Sequence, residues 1–173
     1  DEVTIRHNYV GINYIDTYHR SGLYPLPLPT GLGMEASGEI IDMGKNVKGF
    51  NIGDKIAYVM ALGSYATHRN IDVKKIVKIP EGIKSYEAAA IMLKGMTVEY
   101  LLERLFKINN SHTVLFHAIA GGVGLIACQW LKNLGARVIG TAGSVEKAAL
   151  AKKYGCDEVI LYKDKNFVKE VND

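Results

Sequence analysis

Residues 113–132, TVLFHAIAGGVGLIACQWLK, decide the fold. A β-branched and apolar run, Thr113 to Phe116, breaks at the glycine loop Gly121-Gly122-Val123-Gly124. A helix-patterned segment, Leu125 to Leu134, follows, and Gly135 marks its expected C-terminal stop. Strand, glycine turn and helix in that order turn a common glycine pattern into a dinucleotide-site hypothesis. Gly121 lets the backbone approach a pyrophosphate, and Gly124 lets the helix pack close to the strand. The helix N-terminus would offer the anion its unpaired N–H groups and the positive end of the helix dipole.

Outward from this loop the pattern repeats. Arg137 to Thr141 reads as a second strand, Val145 to Tyr154 as a second helix, and Glu158 to Tyr162 as a third strand. Leu-Gly-Ala at 134–136 and Tyr-Gly-Cys at 154–156 join them as tight turns, which makes a βαβαβ mononucleotide-binding half. An NAD-preferring site usually places Asp or Glu at the end of the second strand to hold the ribose 2′-hydroxyl. Here that position reads Thr141-Ala142-Gly143-Ser144, with no acid. Lys147 follows one helical turn later, where it can meet a 2′-phosphate. Neighbouring Glu146 points about 100° away and cannot face the same site. Tyr162, ending the third strand, is placed to stack on or hydrogen-bond the adenosine end. The plain alternative for Lys147 is a solvated helix residue, but missing acid and available cation together favour NADPH over NADH.

Composition narrows the classes. The 173 residues suffice for one domain or two small ones, and 48% hydrophobic with 23% charged content is that of a soluble globular protein. No apolar run reaches the roughly 18 residues that span a bilayer, so no membrane role is expected. A net charge of +3 from interleaved acids and bases gives no argument for nucleic acid, which needs a continuous basic track. Cys128 and Cys156 have neither metal-ligand spacing nor a disulfide framework, and Cys128 is expected in the core. A reducing, cytoplasmic setting fits. The chain opens in a strand-like run, Val3 to Val10, without Met, and shows three strands where a doubly wound sheet has six. We therefore expect an internal piece of a longer enzyme, inactive by itself, whose first parallel strand is an unpaired edge.

Residues 1–82 have a different texture. Short alternating runs (Val3 to Val10, Ser37 to Asp42, Lys55 to Val59, Ser64 to His68) are separated by glycine turns, as in a small antiparallel β-barrel. Pro80-Glu81-Gly82 is the expected boundary, so that residues 83–173 form the nucleotide domain. A helix is expected to start with Ser85 as N-cap, and a second to run from Thr97 to Phe106. Tyr9, Tyr14, Tyr18 and Tyr24 crowd the first 24 residues, either as barrel surface or as the lining of a flat aromatic pocket.

Gly11-Ile-Asn-Tyr-Ile-Asp-Thr-Tyr-His-Arg-Ser-Gly-Leu-Tyr-Pro25 resembles the early substrate-loop motif of the zinc-independent NADPH:quinone oxidoreductases of the ζ-crystallin type, in the medium-chain dehydrogenase/reductase superfamily. Residues Leu93 to Leu102 resemble the helix joining their two domains, and Ser111 to Lys132 their glycine loop. The resemblance implies a GroES-like barrel followed by the first half of a Rossmann domain. It implies cofactor-lining roles for Asn13, Tyr18 and Thr97, and a pyrophosphate loop of Ala120, Gly121, Gly122 and Val123. It further implies an adenosine and 2′-phosphate pocket of Gly143, Ser144, Lys147 and Tyr162, with Tyr24 near the quinone and Tyr18 beside the nicotinamide.

Two departures stand out. Ile119 takes a loop position where the family has a small residue, and a β-branched side chain there is expected to crowd the pyrophosphate or tilt the turn. Where zinc members carry Gly-His-Glu, this chain has Gly33-Met34-Glu35. A thioether is a poor zinc ligand, so no zinc is expected and Glu35 becomes a structural, hydrogen-bonded acid. A quinone, whose reduction makes its ring aromatic, needs no Lewis acid. The implied function is NADPH-dependent quinone reduction, with a homodimer in the full-length protein. A zinc-independent enoyl or alkenal reductase and a non-catalytic NADPH-binding structural protein are the rivals; a single-stranded RNA binder is disfavoured by the scattered bases.

Overall fold

The computed structural model describes residues 1–172; Asp173 lies outside them. The chain divides into two compact units, Asp1–Leu93 and Lys94–Asp173.

In the first unit, β1 (Glu2–Val10), β2 (Glu35–Met43), β3 (Lys55–Val59), β4 (His68–Asp72) and β5 (Ile76–Lys78) form an antiparallel sheet in the order β4-β1-β2-β3-β5. Its outermost strands, β4 and β5, are joined by a single three-residue 3-10 turn, Val73–Lys75, which draws the two edges of the sheet together. Period-two alternation puts Val3, Ile5, Ile40, Ile56, Tyr58 and Ile71 into one core. Helix α1 (Tyr14–Ser21) lies between β1 and β2 in sequence and ends at Gly22, whose φ of 77° suits glycine. The run Ser64 to His68, expected as a strand, is mostly loop, and pairing of β4 starts only at His68. The Ala66 N–H donates back to the Ser64 carbonyl at 2.8 Å, and that tight turn takes the residues before it out of the ladder.

Helix α2 (Ser85–Glu99) starts at Ser85 itself, so Ser85 is not its N-cap. The Glu87 carboxylate instead accepts from the Lys84 N–H at 2.8 Å, satisfying one orphan donor at that end. Thr97 to Phe106 is no separate helix: α2 runs through Thr97 and passes into a π-helical turn, Tyr100–Leu105.

The second unit contains β6 (Thr113–Phe116), α3 (Gly122–Asn133), β7 (Arg137–Ala142), α4 (Val145–Lys153), β8 (Glu158–Leu161) and α5 (Phe167–Asn172). The strands form a parallel sheet in the order β6-β7-β8, and each βα connection is short, as in a Rossmann half. Helix α3 begins at Gly122 rather than at Leu125, so the glycines belong to its first turn. Val98, Leu102, Ile119, Ala127, Leu131, Val138 and Ala151 are buried together beneath it. Cys128 is fully buried there, as expected, and burial pushes its thiol up to about 12.

Asp157, at the entry to β8, accepts from Lys132 Nζ at 2.9 Å and from the Val138 N–H at 2.8 Å, and both bonds hold its carboxyl below the usual carboxylate range. A depressed folded value contributes stability that is complete above the unfolded value of roughly 4 and lost as pH falls through the folded one. Asp157→Asn is therefore expected to flatten part of the acid limb. Thermal unfolding at pH 6 and pH 3 should show a smaller fall in Tm for the variant than for the parent.

Candidate functional site

The end of β6 leads into the loop through Ala118, which holds a left-handed φ of 52°, rare for a residue with a Cβ. The Ala118 carbonyl accepts from the Gly121 N–H at 2.8 Å and closes the turn. Gly121 is the N-cap of α3 and brings no side-chain cap, and the first turn of α3 contains no acid. The N–H groups of that turn are thus left to a ligand or to water. Helix α4 differs, since Ser144 Oγ accepts from the Lys147 N–H at 3.3 Å.

Gly124 is buried and admits no side chain, because a Cβ there would lie 2.6 Å from the Ile119 carbonyl carbon and 2.7 Å from the Ala118 oxygen. The expectation that Ile119 crowds the phosphate site is corrected by its burial. Ile119 is 0% exposed and turns into the core, where its Cβ stands 2.6 Å from the place a side chain on Gly140 would occupy. A large residue at 119 is accommodated by the absence of one at 140.

Ala118, Ala120, Gly121, Thr141, Ala142, Gly143, Lys147 and Tyr162 line one cleft of about 120 Å³. That space suits the sugar and phosphate end of a cofactor rather than a whole dinucleotide. Tyr162 lies across Gly143, its hydroxyl 2.7 Å from where a Cβ would stand. Lys147 is exposed and lines the cleft; Glu146 does not, and its carboxyl is held low by the Ser144 hydroxyl. Of the residues named from the sequence, Ala120, Gly121, Gly143, Lys147 and Tyr162 meet here. Gly122 and Val123 open α3 beside them, and Ser144 caps α4.

Two residues were missed. Thr141, 2% exposed, lines the cleft from the end of β7. Lys94 lays its methylene stem over Gly122, with Cδ and Cε 3.0 Å from where a Cβ would stand. Lys94 lies inside a helix and carries no motif that marks it, whereas Thr141 belongs to the stretch whose sequence shows only the missing acid. Thr97 is half-buried on α2.

In the first unit, Asn13 caps α1 and is buried, its side-chain amide donating to Glu35 Oε1 at 2.8 Å. Glu35, fully buried, also accepts from the Leu93 N–H at 2.7 Å, as expected of a structural acid. Asp16 Oδ2 accepts from the Asn13 N–H at 2.9 Å and from the Tyr65 hydroxyl at 2.7 Å. Burial and the Asp16 carboxylate push the Tyr65 hydroxyl up to about 12, which makes it a poor acid. Tyr18 packs between Tyr14 and Tyr24, with ring centroids 5.3 and 5.1 Å away. Tyr24 is half exposed.

Two family models match in succession, the alcohol dehydrogenase GroES-like domain over residues 1–81 and the zinc-binding dehydrogenase domain over residues 122–173. The chain belongs to the medium-chain dehydrogenase/reductase superfamily. It is 48% identical over 172 residues to a quinone oxidoreductase of Pseudomonas aeruginosa, a match covering 98% of this chain and 53% of that protein. The crystal structure of Escherichia coli quinone oxidoreductase complexed with NADPH superposes with a TM-score of 0.95 at 48% identity, over 98% of this chain and 52% of that one. A 2-haloacrylate reductase of a Burkholderia species is 37% identical over 99% of this chain and 54% of its own length. The chain spans about half the length of each of these relatives.

The donor set does not fit the zinc that a zinc-binding dehydrogenase domain implies. Met34 stands where zinc members have His, Glu35 is committed to Asn13 and Leu93, and both cysteines are buried against backbone carbonyls. Among the described residues no group of three or more His, Cys, Asp or Glu is gathered. No helix of those residues is long and apolar enough to cross a membrane.

Proposed function

We propose that the chain is the GroES-like domain, residues 1–82, and the first half of the NADPH-binding domain, residues 83–173, of an NADPH-dependent quinone reductase. The observation that carries this reading is the cleft at the ends of β6 and β7. A glycine turn that admits no side chain at Gly124 lies beside Lys147, with no acid at the end of β7 to claim a ribose 2′-hydroxyl. NADPH, when bound, supplies a hydride from C4 of its nicotinamide. The chain's residues bind and orient: Ala120 and Gly121 bring the backbone close to the pyrophosphate, Gly122 and Val123 present N–H groups to it, Lys147 and Ser144 meet the 2′-phosphate, and Tyr162 covers the adenosine end. Asn13, Tyr18 and Thr97 line the nicotinamide end, and Tyr18 with Tyr24 offers flat apolar surface to a quinone. No side chain is assigned as general acid. The reading includes a cytoplasmic setting and a homodimer.

The test is NADPH oxidation by the full protein with a soluble naphthoquinone and, separately, with an α,β-unsaturated carbonyl compound. Turnover confined to the second would replace the quinone reading with that of an enoyl or alkenal reductase, which similarity to the 2-haloacrylate reductase favours. Binding of NADPH without turnover of either substrate would favour a structural role.

Lys147→Ala is expected to weaken NADPH binding roughly tenfold, the worth of one charge-assisted contact, and to leave NADH binding nearly unchanged. Titration of both nucleotides by fluorescence checks this, and an equal loss for both would remove Lys147 from the 2′-phosphate.

A further inference from the structure

Thr141 holds three consecutive residues of the loop between β6 and α3. Its hydroxyl accepts from the Ala118 N–H at 3.3 Å and lies 3.2 Å from His117 Nδ1. Its carbonyl accepts from the Ile119 N–H at 3.1 Å.

The residue so held is the strained one. Ala118 has a φ of 52°, where a Cβ crowds the following carbonyl, and only surrounding contacts keep a non-glycine residue there. The Ala118 carbonyl in turn fixes Gly121, the cap of α3. A 24-residue separation in sequence is therefore closed by one side chain at the mouth of the cleft. Valine has nearly the same shape as threonine and would fill the same buried space, yet the position carries a hydroxyl.

We propose that Thr141 is a positioning residue for the cofactor: its hydroxyl holds Ala118 in the left-handed conformation that aims the Gly121–Gly124 turn at the pyrophosphate. This rests on the NADPH reading above and adds to it a residue outside the glycine motif. The hydroxyl sets affinity through the loop, not through the acidity of any group or through the hydride step. Substrate turnover at saturating NADPH should therefore be little affected, while the KM for NADPH rises.

The test uses Thr141→Val and Thr141→Ala in the full protein, with NADPH affinity read by fluorescence titration and amide exchange followed at Ala118. Both variants are expected to bind NADPH roughly tenfold more weakly, the worth of one lost buried hydrogen bond passed on to the loop. Exchange at Ala118 should be faster in both, and the alanine variant serves if the valine variant does not fold. Thr141→Ser should stay within about twofold of the parent. Adding Ala118→Gly to Thr141→Val should recover most of the loss, because glycine occupies the left-handed region unaided. Parent-like affinity in both hydroxyl-free variants, or a serine variant as weak as valine, would overturn the proposal. A parent protein that binds no NADPH sinks the cofactor reading instead. Exchange at Ala118 then decides on Thr141, and an unchanged rate in the hydroxyl-free variants rejects it.

Discussion

Gly124→Ala is expected to abolish measurable NADPH binding and to lower stability by about 3 kcal/mol, the upper range for forcing one methyl into a packed site. The new Cβ would meet the Ile119 carbonyl oxygen and carbon and the Ala118 oxygen, all of them backbone. A flexible side chain would swing aside, but these atoms cannot move without opening the turn that Gly121 closes on Ala118. Two separate readouts check the expectation: urea unfolding for stability and fluorescence titration for the nucleotide. Loss of binding with unchanged stability would mean that the loop yields locally; full binding would show that the turn is more plastic than its contacts imply. Gly122→Ala is the natural control, because the atoms it meets are the methylenes of Lys94, which can shift.

Glu35→Ala should cost about 3 kcal/mol in urea unfolding, from burial of two donors without their acceptor at 1–3 kcal/mol each. The Asn13 side-chain amide and the Leu93 N–H both end on this carboxylate, and neither Asn13 nor Glu35 is open to solvent. Glu35→Gln separates charge from shape. A glutamine can accept from one donor, but its NH2 group must then face the other, so it should recover only part of the loss. A glutamine variant as stable as the parent would show that one oxygen suffices. Gly11 belongs to the same arrangement, since any side chain there would overlap the Glu35 carboxyl group.

The parallel half of the fold was legible because its signals are local. Thr113 to Phe116 is β6 to the residue, and the later strands and α4 end within one residue of the expected bounds. Lys55 to Val59 is likewise β3 to the residue, an alternating run between glycine turns. The rest failed where distant partners decide. The π-helical turn at Tyr100–Leu105 is a matter of hydrogen-bond register, to which composition is blind. The loop at 64–67 has strand-like residues, but the Ser64 and Tyr65 N–H groups donate to Gly33 and Leu32 and the Ala66 N–H to its own turn, and only Thr67, whose carbonyl accepts from the His7 N–H, joins the backbone of β1. In the site, the glycines and Lys147 were visible as motif and charge. Thr141 was read only as the absence of an acid, and its role needs the contact to Ala118, 23 positions away.

The exchange of bulk between Ile119 and Gly140 has a bearing on any attempt to move loops among relatives. A glycine loop transplanted with a small residue at 119 would carry its own phosphate contacts intact and leave an empty space above Gly140. A transplant of this loop onto a strand with a side chain at 140 would meet the opposite problem. The portable module is therefore the loop together with the middle of β7, and chimeras cut between them inherit half of a matched pair.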